Sequence, residues 1–143
     1  ERLSVKEITI SIIKKYRIPC LLKHLSVEVT GDWELKSDKK WVTFALTQII
    51  DNAIKYSKDN GKIIIRISQA SIEISDDGSG ILEEDLPRIF EEGFTGFNGH
   101  EHQKATGLGL YMTKQVLDSL SLDINIQSQI DQGTHVLITP KKR

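Results

Sequence analysis

Residues 39–57 read Lys39-Lys40-Trp41-Val42-Thr43-Phe44-Ala45-Leu46-Thr47-Gln48-Ile49-Ile50-Asp51-Asn52-Ala53-Ile54-Lys55-Tyr56-Ser57. Val42, Ala45, Leu46, Ile49 and Ala53 recur at helical spacing and form one apolar stripe. Ser37 or Asp38 caps this helix, and Asn60-Gly61 stops it. Residues 62–69 then read as a strand with an apolar run, Ala70-Ser71 turns tightly, and residues 72–75 return as the second strand of a hairpin. A long amphipathic helix feeding an apolar hairpin calls for a sheet with helices packed against it.

Working toward the N-terminus, Ser4 and Glu7 form a capping box for a helix whose apolar positions are Val5, Ile8, Ile12, Ile13 and Tyr16. Pro19 interrupts it, and Leu21, Leu22 and Leu25 restart a helical turn. Residues 26–30 alternate as a strand, Gly31-Asp32 turns, and residues 33–36 return as its partner. Toward the C-terminus, residues 76–80 form a glycine-rich loop and 83–89 a short helix. Residues 91–106 show no period and hold Gly93, Gly96 and Gly99, the pattern of a mobile loop. A helix over 107–120 packs through Leu110, Met112, Thr113, Val116, Leu117 and Leu120. Strands over 122–128 and 134–139 follow, joined through Asp131-Gln132-Gly133. The expected fold is an α/β two-layer sandwich: a mixed, largely antiparallel sheet with three main helices on one face, one domain over residues 1–143.

Composition narrows the function. Nineteen Lys and Arg against 20 Asp and Glu give a net charge of -1, so no basic excess exists to hold a nucleic acid. No stretch approaches the roughly 20 apolar residues of a membrane span. Cys20 stands alone, which excludes an internal disulfide and favours a reducing compartment; beside Pro19 it reads as a buried apolar group. Trp33 and Trp41 read as packing residues. Glu1 opens the chain with no signal-peptide pattern after it, as expected of a piece of something larger.

Chemistry can reside in four segments. On the 39–57 helix, Gln48, Asn52 and Lys55 fall within about 60° of one another. Amide oxygens suit Mg²⁺ and a lysine neutralises phosphate, although a solvated polar flank has the same pattern. Asp76-Asp77-Gly78-Ser79-Gly80 follows a strand. Its glycines let the chain turn and a flat ring approach, and a carboxylate there can accept from an exocyclic amine; a plain turn is the alternative. An EF-hand loop fails because its third and fifth positions would be Gly78 and Gly80 and its twelfth Pro87. Arg88-Ile89-Phe90-Glu91-Glu92-Gly93-Phe94 brackets the loop with aromatics that read as core anchors. Thr106-Gly107-Leu108-Gly109-Leu110 opens a helix, where free N–H groups can bind phosphate. Neither the P-loop nor the dinucleotide glycine motif is present. His100-Glu101-His102 has poor spacing for a metal and reads as solvated side chains. Lys141-Lys142-Arg143 is a charged tail.

Taken in order, these segments resemble the N, G1, F and G2 boxes of the GHKL superfamily of gyrase, heat-shock chaperone, histidine kinase and MutL. Within it the chain is similar to the catalytic and ATP-binding domain of bacterial sensor histidine kinases. Residues 37–41, 93–99 and 107–111 look similar to the membrane-anchored, transporter-associated kinases that respond to antimicrobial peptides.

The resemblance implies ATP and Mg²⁺ as ligands. It puts Mg²⁺ on Asn52, with Gln48 a weaker ligand, phosphate on Lys55, and adenine against Tyr56 and on Asp76. Gly78 and Gly80 would shape the adenine pocket. Thr106, Gly107, Leu108 and Gly109 would cradle phosphates, residues 91–106 would form the ATP lid, and Lys104 and His102 are weaker γ-phosphate candidates. Two positions depart from the family: Gln48 stands where asparagine is usual, and Asp77 puts a second carboxylate in the G1 box. Hydrolysing members carry a glutamate base at the Gln48 position, so the resemblance implies phosphoryl transfer to a histidine rather than steady hydrolysis. That histidine belongs to a dimerisation domain outside this chain; His24, His100, His102 and His135 lack the setting of an acceptor. Implied partners are that domain, a response regulator and an ABC transporter, with a cytoplasmic catalytic domain on a plasma-membrane parent. Rival readings are a slow GHKL-type ATPase, a nucleotide sensor without catalysis, and a plain interaction module.

Overall fold

Ser4 ends one element and begins the next. In the computed structural model, which describes residues 1–81, 84–91 and 109–142, strand β1 (Arg2–Ser4) runs straight into helix α1 (Val5–Lys15). The Ser4 side chain accepts the Glu7 N–H at 3.2 Å, which is the capping bond that the Ser-x-x-Glu spacing foretold. Val5, Ile8, Thr9 and Ile12 face inward, and the Thr9 hydroxyl is satisfied by the Val5 carbonyl at 2.8 Å. Helix α2 (Arg17–Leu22) begins before Pro19 rather than after it. The proline sits in the first turn, where its missing N–H costs no helical bond.

The expected hairpin over 26–36 is not formed. Strand β2 (Ser26–Thr30) pairs in parallel with β4 (Lys62–Ser68), and β3 (Glu34–Lys36) pairs antiparallel with β1. Two features turn the chain away. Gly31 has φ +82° and lies so close to the Ile67 carbonyl that a Cβ would stand 1.8 Å from its oxygen. The Asp32 carboxylate then accepts from Lys6 N–H, Trp33 N–H and the Ser4 hydroxyl. Those bonds tie the segment to the start of α1 instead of to β2. They hold the Asp32 carboxyl below its usual range, the Lys6 N–H foremost.

Helix α3 (Lys39–Tyr56) is capped by Asp38, whose carboxylate accepts the Trp41 N–H at 3.3 Å. Its buried stripe is Val42, Ala45, Leu46, Ile49, Ile50, Ala53 and Ile54. Trp41 is not in the core: it is 41% exposed, edge-on to Phe44 and beneath the Lys40 ammonium. Trp33 is buried, as is Cys20. Strands β4 (Lys62–Ser68) and β5 (Ser71–Asp76) form the expected hairpin, with Ile65 opposite Ile74. Ser75 on β5 faces away from the helices and meets His135 Nδ1 at 2.7 Å.

Beyond the hairpin, a single 3₁₀ turn at Leu86–Arg88 replaces the short helix expected over 83–89. Pro87 inside that turn removes a donor and disfavours α geometry in the residue before it. Ile89 is the buried anchor there, and Phe90 is half-buried. Helix α4 (Gly109–Ser119) buries Thr113 and Leu117. Met112 lies one residue off that stripe and is exposed. Strands β6 (Leu122–Gln129) and β7 (Gly133–Pro140) complete a five-stranded sheet of order β2-β4-β5-β7-β6, antiparallel except for β2 with β4. Helix α3 packs against both α1 and α4, and the three helices share a core with Ile63, Ile65, Ile72, Ile74 and Ile138. This is the mixed α/β sandwich expected from the sequence. No helix among the described residues is long and apolar enough to cross a membrane.

Candidate functional site

Strand alternation delivers the central carboxylate. Ile72 and Ile74 point from β5 into the core, and two residues on the same side comes Asp76, 9% exposed. It pairs across the sheet with Ile63 on one side and Thr134 on the other. A carboxylate at the end of a core row is costly to ionise. Burial pushes the Asp76 carboxyl up to about 6, against the N–H groups of Gly78 and Thr134, which favour the charged form. The Gly78 N–H donates to Oδ1 at 2.9 Å.

The loop after Asp76 is fitted to the end of α3. Ser79 N–H donates to the Tyr56 carbonyl at 3.0 Å. A Cβ on Gly78 would stand 2.2 Å from that same oxygen, so only glycine lets loop and helix meet. Gly80 has φ +75° and abuts the Gln129 carbonyl in the β6–β7 turn. The turn answers with a bond of its own, Asp131 N–H to the Ser79 carbonyl at 2.8 Å. Three chain segments distant in sequence are thereby locked around Asp76.

Gln48, Asn52, Lys55 and Tyr56 are all half-buried on α3. The Lys55 ammonium is held by Asp51 at 2.9 Å, an i,i+4 pair with the acid on the favourable side. The Asp51 carboxylate also faces the Tyr16 phenol. Burial, then the Asp51 charge, raises the phenols of both Tyr16 and Tyr56. The second G1 carboxylate, Asp77, is turned outward: it is exposed, and its Oδ1 accepts the Lys62 N–H at 2.9 Å. There it closes the base of the β4–β5 hairpin, while its charge still adds to the burial that raises Asp76.

Among the other expected site residues, Gly109 opens α4. Lys104, Thr106, Gly107 and Leu108, with His102 and all but residue 91 of the expected lid, lie outside the described residues. So do Phe94 and the His100-Glu101-His102 triplet. Among the described residues no three His, Cys, Asp or Glu side chains are grouped to hold a metal. The nearby donors are the neutral amides of Gln48 and Asn52. Such a set suits a cation that brings its anionic ligands with it, as a magnesium–nucleotide complex does.

Two contributors escaped the sequence reading. Gly133, which in the sequence is part of the Asp131-Gln132-Gly133 connection, has φ +106° and lies against the Asp76 backbone, where a Cβ would be 1.9 Å from the carbonyl oxygen. Lys23, within the helical turn expected of Leu21, Leu22 and Leu25, reaches the end of α3 with its ammonium.

Residues 37–143 match the family described as histidine kinase-, DNA gyrase B-, and HSP90-like ATPase. The sensor protein BceS of Halalkalibacterium halodurans is 35% identical over 99% of this chain and 44% of its own length. The sensor histidine kinase YxdK of Bacillus subtilis is 31% identical over 95% of the chain and 44% of its length. The chain thus spans less than half of these curated relatives. Among solved structures, a mycobacterial sensor histidine kinase, MprB, superposes with a TM-score of 0.79 at 23% identity, covering 99% of both chains. At that identity the likeness speaks for the fold alone.

Proposed function

The chain belongs to the histidine kinase-, DNA gyrase B- and HSP90-like ATPase family, a family of nucleotide-binding domains, and we propose that residues 1–143 are the catalytic domain of a sensor histidine kinase. In this reading the domain binds Mg·ATP and presents the γ-phosphate to a histidine on a dimerisation domain of its parent. A response regulator then receives the phosphoryl group. The catalytic domain works on the cytoplasmic side of a plasma-membrane parent, and a transporter is a further partner.

One observation carries the proposal: a buried carboxylate, Asp76, at the open end of a core strand, walled by glycines and joined through its loop to the helix that bears Asn52 and Lys55. A buried acceptor with this shape fits a flat ligand offering an N–H donor, such as the exocyclic amine of adenine. Tyr56 then lies beside the ring, with Gly78 and Gly80 lining the pocket. Asn52, with Gln48, holds Mg²⁺, which when bound neutralises phosphate charge. Lys55, kept in place by Asp51, supplies a protein cation on the same helix face. Thr106, Gly107, Leu108 and Gly109 take the phosphates, with Lys104 a weaker candidate for the γ-phosphate.

Gln48 cannot take a proton from water, which favours transfer to an external nucleophile over hydrolysis. His24 lies in a turn with φ +55° and His135 on strand β7, so among the described residues neither sits on a helix as an acceptor would. Both facts support an acceptor outside this chain.

Calorimetric titration of the 143-residue chain is the direct test: saturable heat with Mg·ATP is expected, and none at millimolar ligand ends the reading. Asn52→Ala is expected to abolish the gain in affinity that Mg²⁺ confers while leaving affinity in EDTA nearly unchanged. Equal magnesium dependence in variant and wild type would remove Asn52 from the metal site. Affinity should also follow pH. Asp76 is the stronger acceptor when ionised, and its pKa is about 6, so Kd should weaken as pH falls from 8 to 5, by at most about tenfold. A flat profile would remove Asp76 from the binding step.

A further inference from the structure

The last turn of α3 carries Lys55 and Tyr56, and its carbonyls have no partner within the helix. Each nevertheless has one. Ala53 O accepts the Ser57 hydroxyl at 2.6 Å, and Tyr56 O accepts Ser79 N–H at 3.0 Å. Ile54 O accepts Ser57 N–H at 3.3 Å and shares a second donor. That second donor is Lys23, whose Nζ lies 2.9 Å from Ile54 O, 2.7 Å from Lys55 O and 3.0 Å from Ser57 O. An ammonium has three N–H donors, and here three carbonyls take them.

The lysine is itself fixed at both backbone ends. Its N–H donates to Pro19 O at 3.3 Å, and its carbonyl accepts Asn60 N–H at 2.7 Å. Burial lowers the ammonium's pKa, opposed by the charge of Asp59. A cation at a helix C-terminus is well placed against the helix dipole, more so when partly buried. Without it, the carbonyls of Lys55 and Ser57 would lose the donor that holds them, and the last turn would fray. Fraying there moves Lys55, Tyr56 and the Tyr56 carbonyl on which the Asp76–Gly80 loop is seated.

We propose that Lys23 is a positioning residue for the nucleotide site, acting by clamping the C-terminal carbonyls of α3 so that Asn52, Lys55, Tyr56 and the Asp76–Gly80 loop keep one mutual geometry. The proposal rests on the nucleotide-binding reading above. It is tested on the 143-residue chain by Mg·ATP titration and amide hydrogen exchange in wild type, Lys23→Met, Lys23→Arg and, as a control, Lys62→Met. Lys23→Met is expected to raise Kd about tenfold and to speed exchange at residues 54–57 by a similar factor, as befits loss of charge-assisted bonds. Lys23→Arg should recover part of the lost affinity, because guanidinium restores the charge but presents its donors in a plane rather than from one nitrogen. Lys62→Met should match wild type. If Lys23→Met does not fold, the milder Lys23→Gln, which keeps amide donors, is read by the same criteria. Wild-type affinity in the Met or Gln variant, a loss of affinity without faster exchange at 54–57, or no recovery in the Arg variant overturns the proposal. Absence of binding by the wild-type chain instead refutes the nucleotide reading itself, and the two failures are told apart by which protein fails.

Discussion

Asp76→Asn is expected to weaken Mg·ATP binding about 100-fold or more, the loss of a charge-assisted hydrogen bond in a dry site, while making the ligand-free domain more stable at pH 8. The two effects come from one atom pair. Oδ1 of Asp76 is already engaged by Gly78 N–H at 2.9 Å. In the variant the amide oxygen keeps that bond, so the new NH₂ group occupies the other position and faces an incoming amine donor with a donor. Binding then lacks its charge and meets a mismatch.

The stability change has the opposite sign. The folded carboxyl titrates at about 6 against a model value of 3.8, with burial the largest cause. Between those two values the folded state binds more protons than the unfolded chain, so stability falls as pH rises through the window. The full ionisation penalty is about 3 kcal/mol and is present above pH 6. A neutral amide escapes it, offset by the imperfect fit of NH₂. A net gain of about 1–2 kcal/mol, or roughly 3–6 °C in Tm at pH 8, is expected. Melting curves at pH 5 and pH 8 check this: the wild type should lose stability over that interval relative to the variant. A variant that binds as wild type does, or that is less stable at pH 8, would mean that Asp76 is an ordinary structural carboxylate. A residue that costs stability in the empty domain and is needed by the filled one has the thermodynamic profile of a binding group.

Much of this geometry could be read from the chain, and the reasons are local. The stripe from Val42 to Ala53 and the apolar run over 62–69 are signals with one structural answer each, so the helix and the hairpin were legible; Asp76, which the sequence puts first in the loop, is instead the last residue of β5. What was hidden depended on distant partners. The segment over residues 33–36 has the pattern of a return strand, yet Gly31 packed under Ile67 and Asp32 bonded to Lys6 send it to β1. Trp41 and Met112 are apolar by type but stand beside their helices' buried stripes, a difference of one position that composition does not register. Asp77 looked like a second charge at the site and proved to bind Lys62 N–H. Lys23 gave no signal at all, because a lysine in a turn acquires meaning only when a helix end arrives next to it.

Gly133→Ala should have the largest effect on stability, for a reason that lies in the same kind of long-range contact. Gly133 begins β7 with φ +106°, a conformation that L side chains rarely adopt. A methyl there would lie 1.9 Å from the Asp76 carbonyl oxygen and 2.8 Å from Asp77 Cα. Both obstacles are backbone, so no rotamer change relieves them. Either β7 withdraws from β5, breaking the pairing of Thr134 with Asp76, or the end of β5 shifts and carries Asp76 with it. The neighbourhood resists both, since Ser128 bonds Gly133 O, Thr134 and Ile81 N–H, and Asp131 N–H holds the Ser79 carbonyl. Backbone strain plus lost ladder bonds should cost about 3–5 kcal/mol, a large part of the stability of a domain this size. Urea unfolding should show the midpoint fall, and whatever folded protein remains should bind Mg·ATP far more weakly, because displacement of a positioning atom by about 1 Å is enough to disable a site. Gln132→Ala, next door and exposed, should change stability by less than about 0.5 kcal/mol. A Gly133→Ala protein within about 1 kcal/mol of wild type and with unaltered affinity would mean that the β6–β7 turn does not fix the position of Asp76.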